Sequence, residues 1–404
     1  MPRLAARSST ELARYLRTET VGGALLLLAA AIALVWVNTP AGDSYQALRD
    51  FHLGPTALQL NLSIDAWAQD GLLAVFFFIA GIEVKREMVV GELSDRKSAT
   101  LPVVAALGGV LTPALVALAV GWHSPDPGYP PAPGSSCSAW PWSTTWWPSS
   151  SSPCCSPTGL RWVGSRVALG CLAVYAYAQL RRVTWTALYA PLALLTWYAV
   201  HQTGIHATFA GVALGLLTRV RSSDADRARG EQSSPASRLE HRIQPFSAGF
   251  CVPLFALFAA GVPLTGAVLA HLPHDRIAVA IVAGLLFGKV VGIFGTSWLA
   301  IKLGLAGRPR SLGNRDLLAL SVLGGIGFTV SLLVAELGLG EEAANAKAAV
   351  LIASAIASVL GAAMLVRRGR VFHARHAALM EHKKRHFYEV FDAEETSPAA
   401  PDGA

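Results

Sequence analysis

Charge is what this chain has least of. Asp, Glu, Lys and Arg together make up 15% of its 404 residues, where soluble domains carry about 25%. Hydrophobic residues make up 53%, and the mean hydropathy is +0.44. Cysteine is scarce as well. The five present do not make the stapled framework of a small secreted domain, and Cys171 and Cys251 stand in apolar runs and read as small apolar residues. There is no Walker loop, no GxSxG elbow and no metal-ligand spacing, and "GGIGF" (Gly324–Phe328) lacks the strand-and-helix context of a dinucleotide fingerprint. An enzyme working inside a membrane would need a nucleophile beside a base. His201 and His206 offer a base, and no nucleophile motif accompanies them. No enzymatic activity, metal or cofactor is therefore expected.

What the chain has instead is a series of long apolar runs. "VGGALLLLAAAIALVWV" lies within residues 20–42 and "LPVVAALGGVLTPALVALAVGW" within 98–125; residues 184–218 are long enough for two spans, and 246–274, 317–335 and 348–366 complete the clearest cases. Runs around Asp70 and Lys289 are each broken by one charge, and 167–180 is short. At roughly 20 residues per crossing helix, this predicts an all-α polytopic membrane protein with about ten spans. The first run is too long for the apolar part of a signal peptide, and no A-x-A-like cleavage site follows it cleanly.

The net charge of +7 has a distribution that matters. Arg3, Arg7, Arg14 and Arg17 precede the first span, and Lys85, Arg86, Arg96 and Lys97 separate the second from the third. Arg219, Arg221, Arg227 and Arg229 form another basic loop, Lys302, Arg308 and Arg310 a third, and Arg367, Arg368 and Arg370 follow the last span. The positive-inside rule makes all of these cytoplasmic, so both termini lie inside and the number of crossings is even. Topology thus accounts for the basic balance, and no nucleic-acid partner is expected. The organisation reads as a cytoplasmic segment (1–19), spans one to three (20–122), a Ser/Pro/Trp-rich stretch (123–160), the remaining spans (161–366) and a basic-to-acidic cytoplasmic tail (367–404), the tail being a surface helix with a disordered end.

An ionisable group at membrane depth costs at least a few kcal/mol, so each marks a functional candidate. Lys289 is the sharpest, twelve residues after Ile277 in an apolar run. It either carries a functional or ion-pair role or snorkels to an interface, and the central position favours the first. Its natural partner is an intramembrane carboxylate, which the sequence barely offers: Asp70 reads as an interface residue near the outer end of its helix, and Glu336 ends its span. Gly324, Gly325 and Gly327, beside Thr329 and Ser331, sit in mid-span; they read equally as a discontinuous helix at a transport site or as close helix packing. "EVKREMVVGELSDRK" (Glu83–Lys97) and "RLEH" (Arg238–His241) are clusters of both signs, either solvated faces or a titrating gate.

Taken together, "FFFIAGIEVKREMVVGELSDRKSATLPVVAALGGVLTPAL", "GIHATFAGVALG", "RLEHRIQPF", "VPLFALFAAGV", "AGLLFGKVVGI" and "GGIGFTVSLLVA" resemble the NhaA-type sodium/proton antiporters, in the family's order from about Asp70 to Val366. The resemblance implies an inverted-repeat transporter of twelve spans with two crossed discontinuous helices, in a bacterial inner membrane. It implies Na+ or Li+ and H+ as transported ions, the bilayer as partner, and a homodimer as one assembly option. Lys289 matches the family's intramembrane lysine, and Asp70 the acid at the start of the second span. Glu83, Arg86, Glu87, Glu240 and His241 match the cytoplasmic pH-sensing cluster, and His206 a histidine tied to pH response. Gln244 stands where many members have a second histidine.

The larger departure follows Trp122. Where the family has a fourth span with a broken Thr-Asp centre and a fifth with an adjacent, cation-binding Asp pair, this chain reads "HSPDPGYPPAPGSSCSAWPWSTTWWPSSSSPCCSPTGLRWV". The genetic code suggests why. Joining the last base of each codon to the first two of the next, Trp142 into Ser143 gives GTC, valine; Ser143 into Thr144 and Thr144 into Thr145 each give NAC, a set that includes aspartate. The boundaries from Pro148 to Ser152 give NTC, always apolar. The shifted frame can spell "FLLGLAVVDDLVAIVVI", an apolar span with two acids near Thr144 and Thr145. A frameshift is inferred to enter before about Pro131 and to be corrected near Thr158–Arg161. Residues 122–135 are too few to cross a core about 30 Å thick, so a span is also deleted. The expectation is a sodium/proton antiporter by lineage with ten spans instead of twelve, inactive as written because the metal-holding Asp pair is gone; the alternative is a non-transporting degenerate paralogue or membrane scaffold.

Overall fold

Helices account for nearly all of the backbone in the computed structural model, which describes residues 21–121, 158–183, 186–221, 234–307, 313–339 and 343–395. Segment 1–19, the aberrant stretch up to residue 157 with Thr144 and Thr145, and the last nine residues lie outside the described residues. The helices are α1 (Val21–Val37), α2 (Gly42–Arg49), α3 (residues 64–89), α4 (Arg96–Gly121), α5 (Thr158–Leu180), α6 (Thr186–Gln202), α7 (Thr208–Leu217), α8 (Pro235–Ala259), α9 (Gly266–His271), α10 (Arg276–Lys302), α11 (Asn314–Gly324), α12 (Phe328–Leu339) and α13 (Ala343–Glu395). The two-residue strands β1 (His52–Leu53) and β2 (Leu62–Ser63) pair antiparallel between α2 and α3.

Five of these helical stretches are long and apolar enough to cross a membrane, counting α11 and α12 as one, and a sixth joins them if the bent pair α1–α2 is one span. The sequence predicts about ten because it also counts runs such as α6 and α7. These form helices of 17 and 10 residues, short of the ~20 that a perpendicular crossing needs. The tail corrects a second expectation. α13 does not stop after the last apolar run to begin a separate surface helix; it runs unbroken for 53 residues.

Many large apolar side chains point outward, and most buried positions are small. Phe287 and Val359 are each 69% exposed, whereas the buried set is dominated by alanine. Such an inversion suits helices whose outer face meets lipid and whose inner face needs close approach. Two helix groups result, each built on a glycine crossing. In the first, α3 meets α7: a Cβ on Gly81 would stand 2.7 Å from the Val212 carbonyl, and Gly211 and Gly215 face the Ala74 and Phe78 carbonyls as closely. α5, α6 and α8 pack around this pair. In the second, α4 meets α10, where Gly288 abuts Pro113 and Gly292 abuts Gly108, and α11, α12 and α13 complete the group. An apolar layer lies between the groups, with Leu73, Phe255 and Ala259 from the first against Leu285, Leu332, Leu333, Val350 and Ala353 from the second.

α2 folds back on α1 at 119°. Asn38 at the bend donates to the Val262 carbonyl (3.1 Å) and accepts from the Leu264 amide (2.7 Å), and the buried Tyr45 hydroxyl reaches the Leu257 and Phe258 carbonyls at 2.8 and 3.0 Å. These bonds satisfy the chain end of α8 and fix Arg49 at one rim of the molecule.

Candidate functional site

Three departures from regular helix lie next to the residues that the sequence singles out. Each is a π-helical turn, in α3 (Trp67–Leu72), α8 (Ser247–Cys251) and α10 (Gly284–Gly288), the irregularity that most often accompanies functional positions in helices. In α8 the cause is legible: Pro245 and Pro253 cannot donate the regular bond.

The turn in α3 carries Asp70, whose side chain is mostly buried. His206 Nδ1 lies 3.1 Å from Asp70 Oδ1, and His201 Nδ1 lies 3.5 Å from Oδ2. A loop with Gly204 at φ +77° brings the two histidines to the same carboxylate, a backbone conformation that glycine takes without strain. Trp197 donates from Nε1 to the Asp70 carbonyl (2.8 Å) and stacks between Trp67 and His201, with centroids 5.7 Å apart on each side. Asp70 is thus a carboxylate between two imidazoles at the rim away from the basic loops.

The turn in α10 ends at Gly288, and Lys289 follows it, half-buried. α11 stops at Gly324 and α12 begins at Phe328, so the glycine-rich segment is a break in the helix. It is also a close contact. A Cβ on Gly325 would lie 3.0 Å from the Leu285 carbonyl, one on Gly327 would lie 3.0 Å from the Leu285 side chain, and one on Gly324 would press on Ile293. The Gly327 amide donates to Ser354 Oγ (3.3 Å) on α13. The segment is thus both a break and a close packing contact, and Thr329 stands half-buried in the first turn after it. The partner expected for Lys289 is not there: among the described residues no carboxylate lies within ion-pair reach of its ammonium.

On the basic-loop side Arg86 and Glu240 come together, one guanidinium nitrogen donating to both carboxylate oxygens at 2.7 and 2.9 Å. Glu240 is 2% exposed. Glu87 is half-buried beside Gly91, and Glu83 and His241 are exposed. Truncating the partner of a buried charge strands it, so Arg86→Ala is expected to cost about 3 kcal/mol. Glu240→Gln, which removes the charge itself, should cost less. Thermal unfolding of the detergent-solubilised variants measures both.

Sequence reasoning missed a second charged cluster at the opposite rim. Arg49 donates to Asp65 Oδ2 from Nε (3.0 Å) and Nη2 (2.8 Å), and from Nη2 to Glu336 Oε1 (3.3 Å); Lys347 pairs with the other Glu336 oxygen. An acid that ends one apolar run and a lysine that opens the next were the available signal. Arg49 and Asp65, in the connection between spans, gave none. His201 was equally silent, because its pairing with Asp70 spans 131 residues of chain.

The family model described as Na+/H+ antiporter 1 matches residues 13–131 and 156–365 of the chain. Among curated proteins, the Na(+)/H(+) antiporter NhaA 2 of Rhodococcus jostii (strain RHA1) is 55% identical over 398 residues, covering 91% of this chain and 95% of that protein. NhaA 1 of Saccharopolyspora erythraea is 54% identical over 387 residues, covering 90% and 93%. NhaA of Nocardia farcinica is 52% identical over 400 residues, covering 92% and 95%.

Proposed function

The chain belongs to the Na+/H+ antiporter 1 family, secondary transporters that exchange sodium for protons and are not enzymes, and on that premise we propose that this copy keeps the exchanger's scaffold and has lost its cation-binding acids. The observation that carries this is the family match itself. It covers both sides of residues 132–155 and omits them, the same tract in which a one-base offset can spell an apolar span with two carboxylates at Thr144 and Thr145. The relatives support a deletion as well. The alignment to the Rhodococcus protein runs over 398 residues, while 91% of 404 is about 368, so some 30 aligned positions have no residue here.

In this reading Lys289, beside the break at Gly324, Gly325 and Gly327 and near Thr329, marks the midplane site. Two adjacent carboxylates there titrate as a coupled unit and hold either a sodium or lithium ion or protons, and the lysine stabilises them when the cation is away. Among the described residues, a half-buried ammonium with no carboxylate in ion-pair reach is what remains. Asp70 with His206 forms the outer approach. Glu83, Arg86, Glu87, Glu240 and His241 form the cytoplasmic pH-responsive cluster, with Arg86–Glu240 as its fixed point. The basic loops face the cytoplasm of a bacterial inner membrane, both termini lie inside, and a homodimer is compatible with the whole.

The DNA across codons 120 to 162 is the test. Two adjacent aspartate codons in the offset frame are expected at 144 and 145, and an offset frame without carboxylates would falsify the frameshift. The same loss of acids favours a second reading, a non-transporting paralogue or scaffold. An offset frame that encodes the acids but also carries stop codons would point to that older decay.

A further inference from the structure

The charged cluster at the rim away from the basic loops joins the two helix groups. Arg49 and Asp65 belong to the first group through α2, which Tyr45 ties to α8, and through the first turn of α3. Glu336 and Lys347 belong to the second, on α12 and α13, and Asn345 beside Lys347 donates to Asp275, the N-cap of α10, at 3.2 Å. Arg49–Glu336 therefore crosses from one group to the other. Its 3.3 Å is longer than the 2.8 Å from the same nitrogen to Asp65.

What distinguishes this pair is that breaking it strands nothing. Arg49 keeps two bonds to Asp65, and Glu336 keeps Lys347. Removing one partner of a buried ion pair is costly because a bare charge stays behind; here each charge has a fallback within its own group. Arg86–Glu240 has the opposite design, lying inside one group with its acid almost wholly buried. Beside the crossing pair is a cavity of about 170 Å3, lined by Gln46, Val262, Pro263 and Ala344 together with the charged groups. At about 30 Å3 per molecule in the liquid, it has room for several waters. Below it, the groups meet in the apolar layer around Leu73 and Leu332, whose side chains have no hydrogen bonds to lose when they slide.

We propose that Arg49–Glu336 is a releasable latch across the outer seam: it holds the two helix groups together at that rim, and when they part each charge falls back on its own counter-ion. The proposal takes from the antiport reading only that the groups move against each other. It does not require a bound cation, so a chain without sodium flux still tests it.

Val262, 1% exposed and lining the cavity, reports on the seam. The full chain, with its five cysteines replaced and Val262→Cys introduced, is reconstituted in lipid nanodiscs and labelled with a membrane-impermeant maleimide. A part-buried ion pair whose charges each keep a second partner shifts such an equilibrium modestly, so Glu336→Gln is expected to speed labelling about fivefold. Asp65→Asn and Lys347→Gln take away a fallback and leave the crossing pair as the remaining option, so they should slow labelling. A merely structural role would raise accessibility in all three. Unchanged labelling in Glu336→Gln, or acceleration in all three variants, overturns the latch. If Glu336→Gln does not yield monodisperse protein, Glu336→Asp keeps the charge for Lys347, lengthens the crossing contact and should still speed labelling.

Discussion

A version of this chain with the reading frame restored between Ser135 and Thr158, and with the missing span supplied from a relative, is expected to drive sodium-dependent proton flux in proteoliposomes, at a rate at least tenfold above the chain as written, which should not exceed empty vesicles. The contrast is this large because binding a cation in a low-dielectric site needs fixed negative charge, and among the described residues no acid stands beside Lys289 to supply it. The described structure leaves Lys289 half-buried without an acid within ion-pair reach, so the repaired pair has a positive partner waiting. Lys289→Ala in the repaired chain should then cut the flux severely, whereas the same substitution in the unrepaired chain changes nothing measurable. A repaired chain that folds, binds detergent normally and still moves no sodium would count against the lineage reading.

Gly211→Leu is expected to abolish accumulation of folded protein, and Gly215→Leu to do nearly the same. At both positions the atoms that a side chain would meet are backbone, the Ala74 carbonyl for Gly211 and the Phe78 carbonyl with Gly81 Cα for Gly215. A backbone carbonyl cannot rotate away as a side-chain tip can, so α3 and α7 would have to separate along their whole crossing. Overpacking that a core can absorb costs about 1–3 kcal/mol; displacing a helix pair exceeds that. Gly170→Ala is the control. Nothing lies within 4 Å of its would-be Cβ in the interior of α5, so the gain in helix propensity, up to about 1 kcal/mol, should appear as unchanged or slightly raised thermal stability. Monodisperse yield and melting temperature separate the three variants.

How much of this was legible beforehand depends on the range of the interaction. Helices were, because apolar runs are local. The break at Gly324–Gly327 was, because three glycines within four residues weaken a helix wherever they fall. Arg86 with Glu240 could be grouped only through the resemblance, since 154 residues separate them and nothing in either segment points to the other. The burial of Asp70 was out of reach for the same reason: it comes from the α6–α7 segment, whose Gly204 gives no hint of which carboxylate the histidines will meet. In the cluster at the other rim, Arg49–Asp65 and Glu336–Lys347 are near neighbours in sequence, but Arg49–Glu336 joins positions 287 residues apart, and neither segment points to the other. The tail failed differently. Its sequence changes from apolar to basic to acidic, which suggests separate pieces, yet helix propensity continues through the change and no proline or glycine interrupts residues 371–395.

That unbroken rod has an electrical consequence. Some 26 residues of α13 lie beyond Gly369, where the apolar stretch ends, and at 1.5 Å each they extend about 39 Å along the axis. In sequence, Arg367, Arg368 and Arg370 stand at its base, a collar of positive charge, and Glu389, Asp392, Glu394 and Glu395 at its tip. At physiological salt, fields fade within about 8 Å. Tip and collar are thus several screening lengths apart, and whatever counter-charges gather at one go unfelt at the other.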